Sequence, residues 1–198
     1  MNSKYNRSEI IELFKEAEAI IEGHFLLTSG RHSQTYIQCA KIQQYPQYME
    51  KLISCLSREL QNKYDLVVGP AMGGIIMAYE LARQNNLPAM FSERNEGRME
   101  FRRGFGVEPG QRVLVAEDVV TTGGSVVEVI ELLQSQGAQV VDVAALVDRS
   151  GGKADFSKYG AGFTALLEID IETYLPEQCP LCVQGSTPVK PGSRKIGG

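Results

Sequence analysis

Glu117 and Asp118 stand side by side in the chain, and Thr121-Thr122-Gly123-Gly124-Ser125 follows after Val119 and Val120. An amphipathic segment comes next, with Val126, Val129, Ile130, Leu132 and Leu133 on its apolar side. The hydroxyls and glycines therefore sit at a helix N-terminus, where free backbone N–H groups and the positive dipole end suit an anion, most plausibly a phosphate. A bare phosphate would be repelled by two carboxylates. Glu117 and Asp118 must address another part of the same ligand, and vicinal sugar hydroxyls or a bound Mg²⁺ are the natural partners. The loop is neither a Walker loop, since the Gly-Lys-Ser/Thr ending is absent, nor a Gly-x-Gly-x-x-Gly fingerprint. The plain structural alternative is a glycine-rich turn with a capping serine.

Four other places carry chemistry. Pro70-Ala71-Met72-Gly73-Gly74 is a second glycine-rich turn between a strand and a helix, suited to an anion or simply to close helix–strand packing. Arg94, Arg98, Arg102 and Arg103 crowd one short segment, and guanidinium groups bind phosphate oxygens in pairs. Their charge is expected to lack a partner within one subunit other than a phosphate ligand; the alternative is a solvated basic hairpin. Ser29-Gly30 lies in a polar turn that is either a surface loop or a lid over a ligand. Cys179-Pro-Leu-Cys182 has half the spacing of a zinc site, but the only histidines, His24 and His32, are far away in the chain. The pair reads as a turn, and no metal held by protein side chains is expected.

The elements that must position these groups follow from hydrophobic periodicity. Val113-Leu-Val-Ala116 is a continuous apolar run, the pattern of a strand covered on both faces in a parallel sheet, and it delivers the carboxylates to the strand's carboxyl end. Asp65 to Gly69, Pro88 to Phe91, Gln139 to Val147 and Phe163 to Ile169 read as further strands. Helices are expected over 46–60, over 75–83 and after Ser125, the last stopped by Gly137. Residues 8–21 read as a first helix with Ile20 and Ile21 on its apolar face, ended by Gly23. Phe25 to Gln38 has the form of a hairpin. Strand–helix alternation from 65 to 148 implies an α/β fold, a central parallel sheet flanked by helices with right-handed crossovers.

With 198 residues and 43% apolar content, the chain suits one domain with a buried core. The expected division is a single domain over 1–178, with a hood mainly over 20–45 and a core over 46–178, then an irregular, partly mobile tail over 179–198. A net charge of −4 argues against nucleic acid as a main partner. No apolar run is long enough to span a membrane, and the N-terminus lacks a signal-peptide core, so a cytoplasmic protein is expected.

The stretch from Val113 to Ser125 resembles the 5-phosphoribosyl pyrophosphate (PRPP) signature of the type I phosphoribosyltransferases. That resemblance implies ribose hydroxyls on Glu117 and Asp118, the 5′-phosphate in the loop from Val119 to Ser125, and pyrophosphate near Met72 and Gly73. Phe-x-Leu-x-Ser-Gly-x-x-Ser-x-x-Tyr over 25–36 is similar to the hood that covers orotate in orotate phosphoribosyltransferases. It implies orotate near Ser29, Gly30 and Thr121, with its carboxylate on Arg149, the arginine that follows the 139–147 strand. The implied reaction is transfer of the phosphoribosyl group from PRPP to orotate in pyrimidine biosynthesis, with Mg²⁺ as cofactor and a homodimer whose mobile loop reaches the neighbouring site. Arg94, Arg98 and Arg102 fall where that loop lies. The family's loop carries lysines and a histidine, whereas none occurs between Phe91 and Gln111, so Arg94 and Arg102 are expected to stabilise the leaving pyrophosphate beside Asp118 and Glu117. The rivals are a purine phosphoribosyltransferase, disfavoured by the hood and Arg149, and a non-catalytic PRPP-sensing regulator, disfavoured by the lack of a basic recognition helix.

Overall fold

A computed structural model describes residues 7–27 and 29–191. The first six residues of the N-terminus, Thr28 of the hood and residues 192–198 of the tail lie outside the described residues.

Six strands form the main sheet: β3 (Leu66–Pro70), β4 (Ala89–Asn95), β5 (Arg98–Glu100), β6 (Arg112–Val120), β7 (Gln139–Asp148) and β8 (Gly162–Glu168). Their order is β5-β4-β3-β6-β7-β8, parallel from β4 to β8, with β5 added antiparallel through a hairpin. The expected parallel sheet is thus observed, and β6 is an inner strand of it.

The continuous apolar run of β6 is explained by what covers each face. Leu114 and Ala116 pack into one core with α1 (Arg7–Glu16), α2 (Cys39–Gln43), α3 (Pro46–Glu59) and α4 (Gly73–Asn85), among them Phe14, Met49, Leu52 and Leu81. Val113 and Val115 point the other way, against Val126, Val129, Ile130 and Leu133 of α5 (Gly124–Ser135). Successive side chains alternate faces, so a strand covered on both sides needs an apolar residue at every position. All four β6 residues are 0% exposed, each burial contributing roughly 1.5–3 kcal/mol for the larger side chains.

A second, three-stranded sheet forms the hood: β1 (Ile20–Leu26), β2 (His32–Ile37) and β9 (Thr173–Tyr174), in the order β1-β2-β9 and antiparallel throughout. The hairpin expected over 25–38 is present, but β1 begins where the first helix was expected to continue. That helix stops at Glu16 because Glu18 adopts a left-handed conformation (φ 52°). The Ala19 N–H then donates to the Phe14 carbonyl and the Glu18 N–H to the Lys15 carbonyl, which is the Schellman arrangement. Ile20 and Ile21 belong to the strand and Gly23 is not the stop; the cap is made without glycine.

Residues beyond 178 run back along the hood. A short helix, α6 (Pro180–Val183), follows the buried Cys179. Further on, the Leu26 N–H donates to the Val189 carbonyl at 2.9 Å and the Val189 N–H to the His24 carbonyl at 2.8 Å. Among the described residues no helix is long and apolar enough to cross a membrane.

Candidate active site

The carboxyl ends of β3, β6 and β7 and the underside of the hood enclose one cavity of about 1160 Å³. Of the residues singled out in the sequence, Asp118, Val119, Thr121, Thr122, Met72, Gly73, Arg149 and Ser29 line it. Glu117, Val120, Gly123, Gly124, Ser125 and Gly30 stand near these but outside the lining.

The two carboxylates lie within hydrogen-bonding reach of each other. Glu117 is buried, while Asp118 lines the cavity with its carboxylate against Gly73 at the start of α4. Glu117 Oε1 accepts the Asp118 backbone N–H at 3.1 Å, and Asp118 Oδ1 accepts the Val119 N–H at 2.8 Å. Burial raises both carboxyl pKa values. Glu117 is pushed up to about 8 by desolvation and then by the neighbouring Asp118 charge; Asp118 is raised chiefly by desolvation. A ligand that brings hydroxyl donors or positive charge relieves that crowding.

Gly73 is required by Asp118 itself. A Cβ at this position would meet the Asp118 carboxylate at 2.5 Å. Gly74 serves packing instead, since a Cβ there would strike the Ala116 carbonyl oxygen at 2.5 Å. The close-packing reading is thus seen at Gly74, while Gly73 makes room for the Asp118 carboxylate. The peptide between Ala71 and Met72 is cis. In the other loop Gly123 takes the N-cap position of α5 with φ 76°, and no side chain caps the helix, so the capping-serine alternative is not what this loop does.

Arg149 is a half-buried cation of the site. Its Nε is buried without a hydrogen-bond partner among the described residues, and desolvation lowers its pKa. A buried, unsatisfied guanidinium donor costs about 1–3 kcal/mol or more unless a ligand completes it, and a planar carboxylate is its natural complement.

A model of the phosphoribosyl transferase domain matches residues 38–166. The orotate phosphoribosyltransferase of Caldanaerobacter subterraneus subsp. tengcongensis is 53% identical over 195 residues, covering 96% of this chain and 99% of that protein. The chain belongs to the orotate phosphoribosyltransferase family. The orotate phosphoribosyltransferase of Thermotoga maritima is 52% identical, with 94% and 99% covered. Among solved structures, the orotate phosphoribosyltransferase of Aeropyrum pernix superposes with a TM-score of 0.67 at 26% identity, over 81% of this chain and 93% of that one. The Mycobacterium tuberculosis enzyme in complex with inorganic phosphate gives 0.66 at 28% identity, over 82% and 95%.

In this orotate phosphoribosyltransferase fold the arginines lie away from the cavity. Arg94, Arg98, Arg102 and Arg103 are exposed on and after the β4–β5 hairpin, which turns at Glu96 and Gly97. The expectation that they lack partners within the subunit is corrected. Arg94 pairs with Glu128 of α5 at 2.8 Å, and Arg103 pairs with Glu93 at 3.0 Å while lying over the Phe91 ring. Both glutamates come close only through folding, Glu128 from another element altogether.

Several lining residues were not singled out in the sequence. Buried Gln43 donates from Nε2 to the Gly73 carbonyl at 2.9 Å and so props the glycine against Asp118. Lys153 adds a cation on the Arg149 side, and Lys190 and Pro191 bring the tail into the wall. No sequence signal points to Gln43, which lies on a five-residue helix; the Lys153 signal was its position just beyond Asp148-Arg149-Ser-Gly-Gly.

Proposed function

We propose that the protein transfers the 5-phosphoribosyl group from PRPP to orotate, giving orotidine 5′-monophosphate and pyrophosphate. The observation that carries this reading is Arg149, a guanidinium with an unmet buried donor in the same cavity as Asp118 and Thr121. Orotate brings a carboxylate to that donor; a purine or uracil does not.

The phosphate end of PRPP sits on the uncapped N-terminus of α5, with Thr121 and Thr122 beside it. Asp118 accepts from the ribose hydroxyls, and Glu117 holds the Asp118 backbone from behind. Breaking the bond from ribose C1 to pyrophosphate puts positive charge on the ring, and a ring nitrogen of orotate forms the new bond as its N–H proton passes to the released pyrophosphate. The Asp118 charge faces that developing cation, so catalysis is chiefly electrostatic and positional.

One carboxylate lining the cavity, together with substrate phosphates, suits Mg²⁺, which keeps several waters and binds through few protein ligands. Bound there with PRPP, it supplies neutralising charge to the pyrophosphate. The reading includes a homodimer in which the exposed Arg98 and Arg102 reach the partner's cavity. Supporting this, Met72, Ile76 and Tyr79 are 83%, 44% and 64% exposed at helical spacing, an apolar stripe beside the site. The reading also places the protein in the cytoplasm, in keeping with four free cysteines.

The test is incubation with PRPP, Mg²⁺ and a panel of orotate, uracil, hypoxanthine and adenine, with pyrophosphate as the readout. Release with orotate alone is expected. Release with a purine, or with none of the four, would overturn the assignment.

A further inference from the structure

His24, His32, Cys179 and Cys182 come from opposite ends of the chain and meet beneath the hood. Their ligand atoms all lie within 4.8 Å of one another. His24 Nε2 is 3.1 Å from His32 Nδ1, 3.4 Å from Cys179 Sγ and 3.8 Å from Cys182 Sγ; Cys182 Sγ is 3.3 Å from His32 Nδ1. Tetrahedral zinc with its usual bond lengths requires edges of roughly 3.3 Å between nitrogens, 3.6 Å from nitrogen to sulfur and 3.8 Å between sulfurs. These four edges lie within about 0.3 Å of those values, and all six lie within 4.8 Å.

We propose that these four side chains form a tetrahedral Zn²⁺ site that fastens the tail to the hood. Two thiolates and two imidazoles, with no carboxylate in the cluster, select zinc over magnesium or calcium. Cys179, His24 and His32 are buried and Cys182 is half-buried, as in a closed structural site rather than a catalytic one with an open position. The outer ring nitrogen of His24 is already held, its Nδ1 lying 3.1 Å from Ser186 Oγ, which turns Nε2 toward the centre.

The backbone is shaped for this. β1 and β2 shift register between Glu22 and Phe25, so Gly23 and His24 together oppose the single residue Gln34, a β-bulge that re-aims the histidine. Discounting the two histidines for their distance along the chain was the error in the sequence reading. The site is separate from the transferase centre: all four residues lie outside the 38–166 span that the family domain matches. It nonetheless bears on that centre, because Leu26, Leu27 and Ser29 of the hood and Lys190 and Pro191 of the tail form one wall of the cavity.

The test begins with the intact wild-type protein, produced in zinc-supplemented medium and desalted without chelator, and measures metal by elemental analysis. One zinc per chain is expected. Cobalt substitution should give the thiolate-to-cobalt charge-transfer and tetrahedral ligand-field bands. Cys182→Ser and His32→Gln should each lose the metal, whereas Cys55→Ser, which alters a cysteine of α3 far from the cluster, should keep it. Stripping the metal should lower Tm by about 10 °C or more and speed tryptic cleavage after Arg31, in the hood turn, by about tenfold or more. Metal-free protein with no cobalt bands would overturn the proposal, leaving a hydrogen-bonded cluster if four thiols titrate and a disulfide if only two do. Zinc retained by both ligand variants would overturn it as well. The wild-type metal content and cobalt spectrum decide the matter even if a variant fails to fold.

Discussion

The β6–α5 loop and the β4–β5 hairpin are both polar, both tied to phosphate chemistry by their residue types, and built in opposite ways. The first takes its charges to the end of a strand sealed on both faces. There Asp118 is fixed by the Val119 N–H, and neighbouring Gly73 leaves no room for a side chain. The second carries four exposed arginines on a sheet edge, two of them already paired with Glu128 and Glu93. A buried group is held in one geometry and pays for it in desolvation; an exposed guanidinium is screened and contributes little until it finds a ligand. The difference separates a preorganised cavity from an exposed basic hairpin, two of whose arginines are held by surface ion pairs.

The comparison breaks first if the buried side is dispensable. Asp118→Asn keeps the shape and removes the charge facing the developing cation, so kcat/KM should fall by about 10²–10³-fold with Tm little changed. Normal turnover by the variant would remove Asp118 from the mechanism. Next comes Arg149→Ala, which should weaken orotate binding by about 2 kcal/mol or more, some thirty-fold, while PRPP affinity holds. Equal loss for both substrates, measured by isothermal titration, would make Arg149 a structural residue.

The hairpin side is sharpened by mixing. An Arg98→Ala/Arg102→Ala variant alters the two arginines outside the Arg94–Glu128 and Arg103–Glu93 ion pairs, Arg102 adding only its charge near Glu93. Mixed with Asp118→Asn and allowed to exchange subunits, it should recover about a quarter of wild-type activity if sites are shared across a dimer. No recovery, with exchange verified by mass-tagged subunits, would confine the hairpin to its own chain.

The smallest effect is on stability. Glu117 has its folded pKa raised from 4.5 to about 8, so the protonated form is favoured by folding. That contribution is fully present below about pH 4.5 and is lost as pH rises through about 8. Glu117→Gln should therefore stabilise the ligand-free protein at pH 8.5, on the order of 1–3 kcal/mol, and leave it nearly unchanged at pH 4. Thermal melts at the two pH values check this, and an equal shift at both would show that the charge is not the cause.

The same contrast explains what was legible in the sequence. Val113 to Ser125 is legible because strand, carboxylates and glycine-rich loop are contiguous, and each is dictated by local pattern. Arg149 was found through family likeness, and its unmet donor through the structure. The ion pairs of Arg94 and Arg103 were not legible, since they depend on which elements pack together. Neither was the end of α1, where a glutamate takes the left-handed position that normally signals itself with glycine. The four-residue cluster was hardest of all: each half is uninformative alone, and only the return of the tail to β1 joins them.

That return also sets an order of events during synthesis. The hood hairpin is made well before Thr173 and Tyr174 of β9, Cys179, Cys182 and Val189, Cys182 coming 158 positions after His24. At roughly 5–20 residues per second, β1 and β2 wait about 8–30 s for their partners, as a two-stranded hairpin of marginal stability on its own. Ribosome-bound chains should accordingly be cut by trypsin after Arg31 until residues 173–189 have emerged, then become resistant. The hood wall of the cavity is thus completed only after the β6–α5 loop has been made, and any slowing of the ribosome over 173–191 prolongs the interval in which the chain has that loop but no roof.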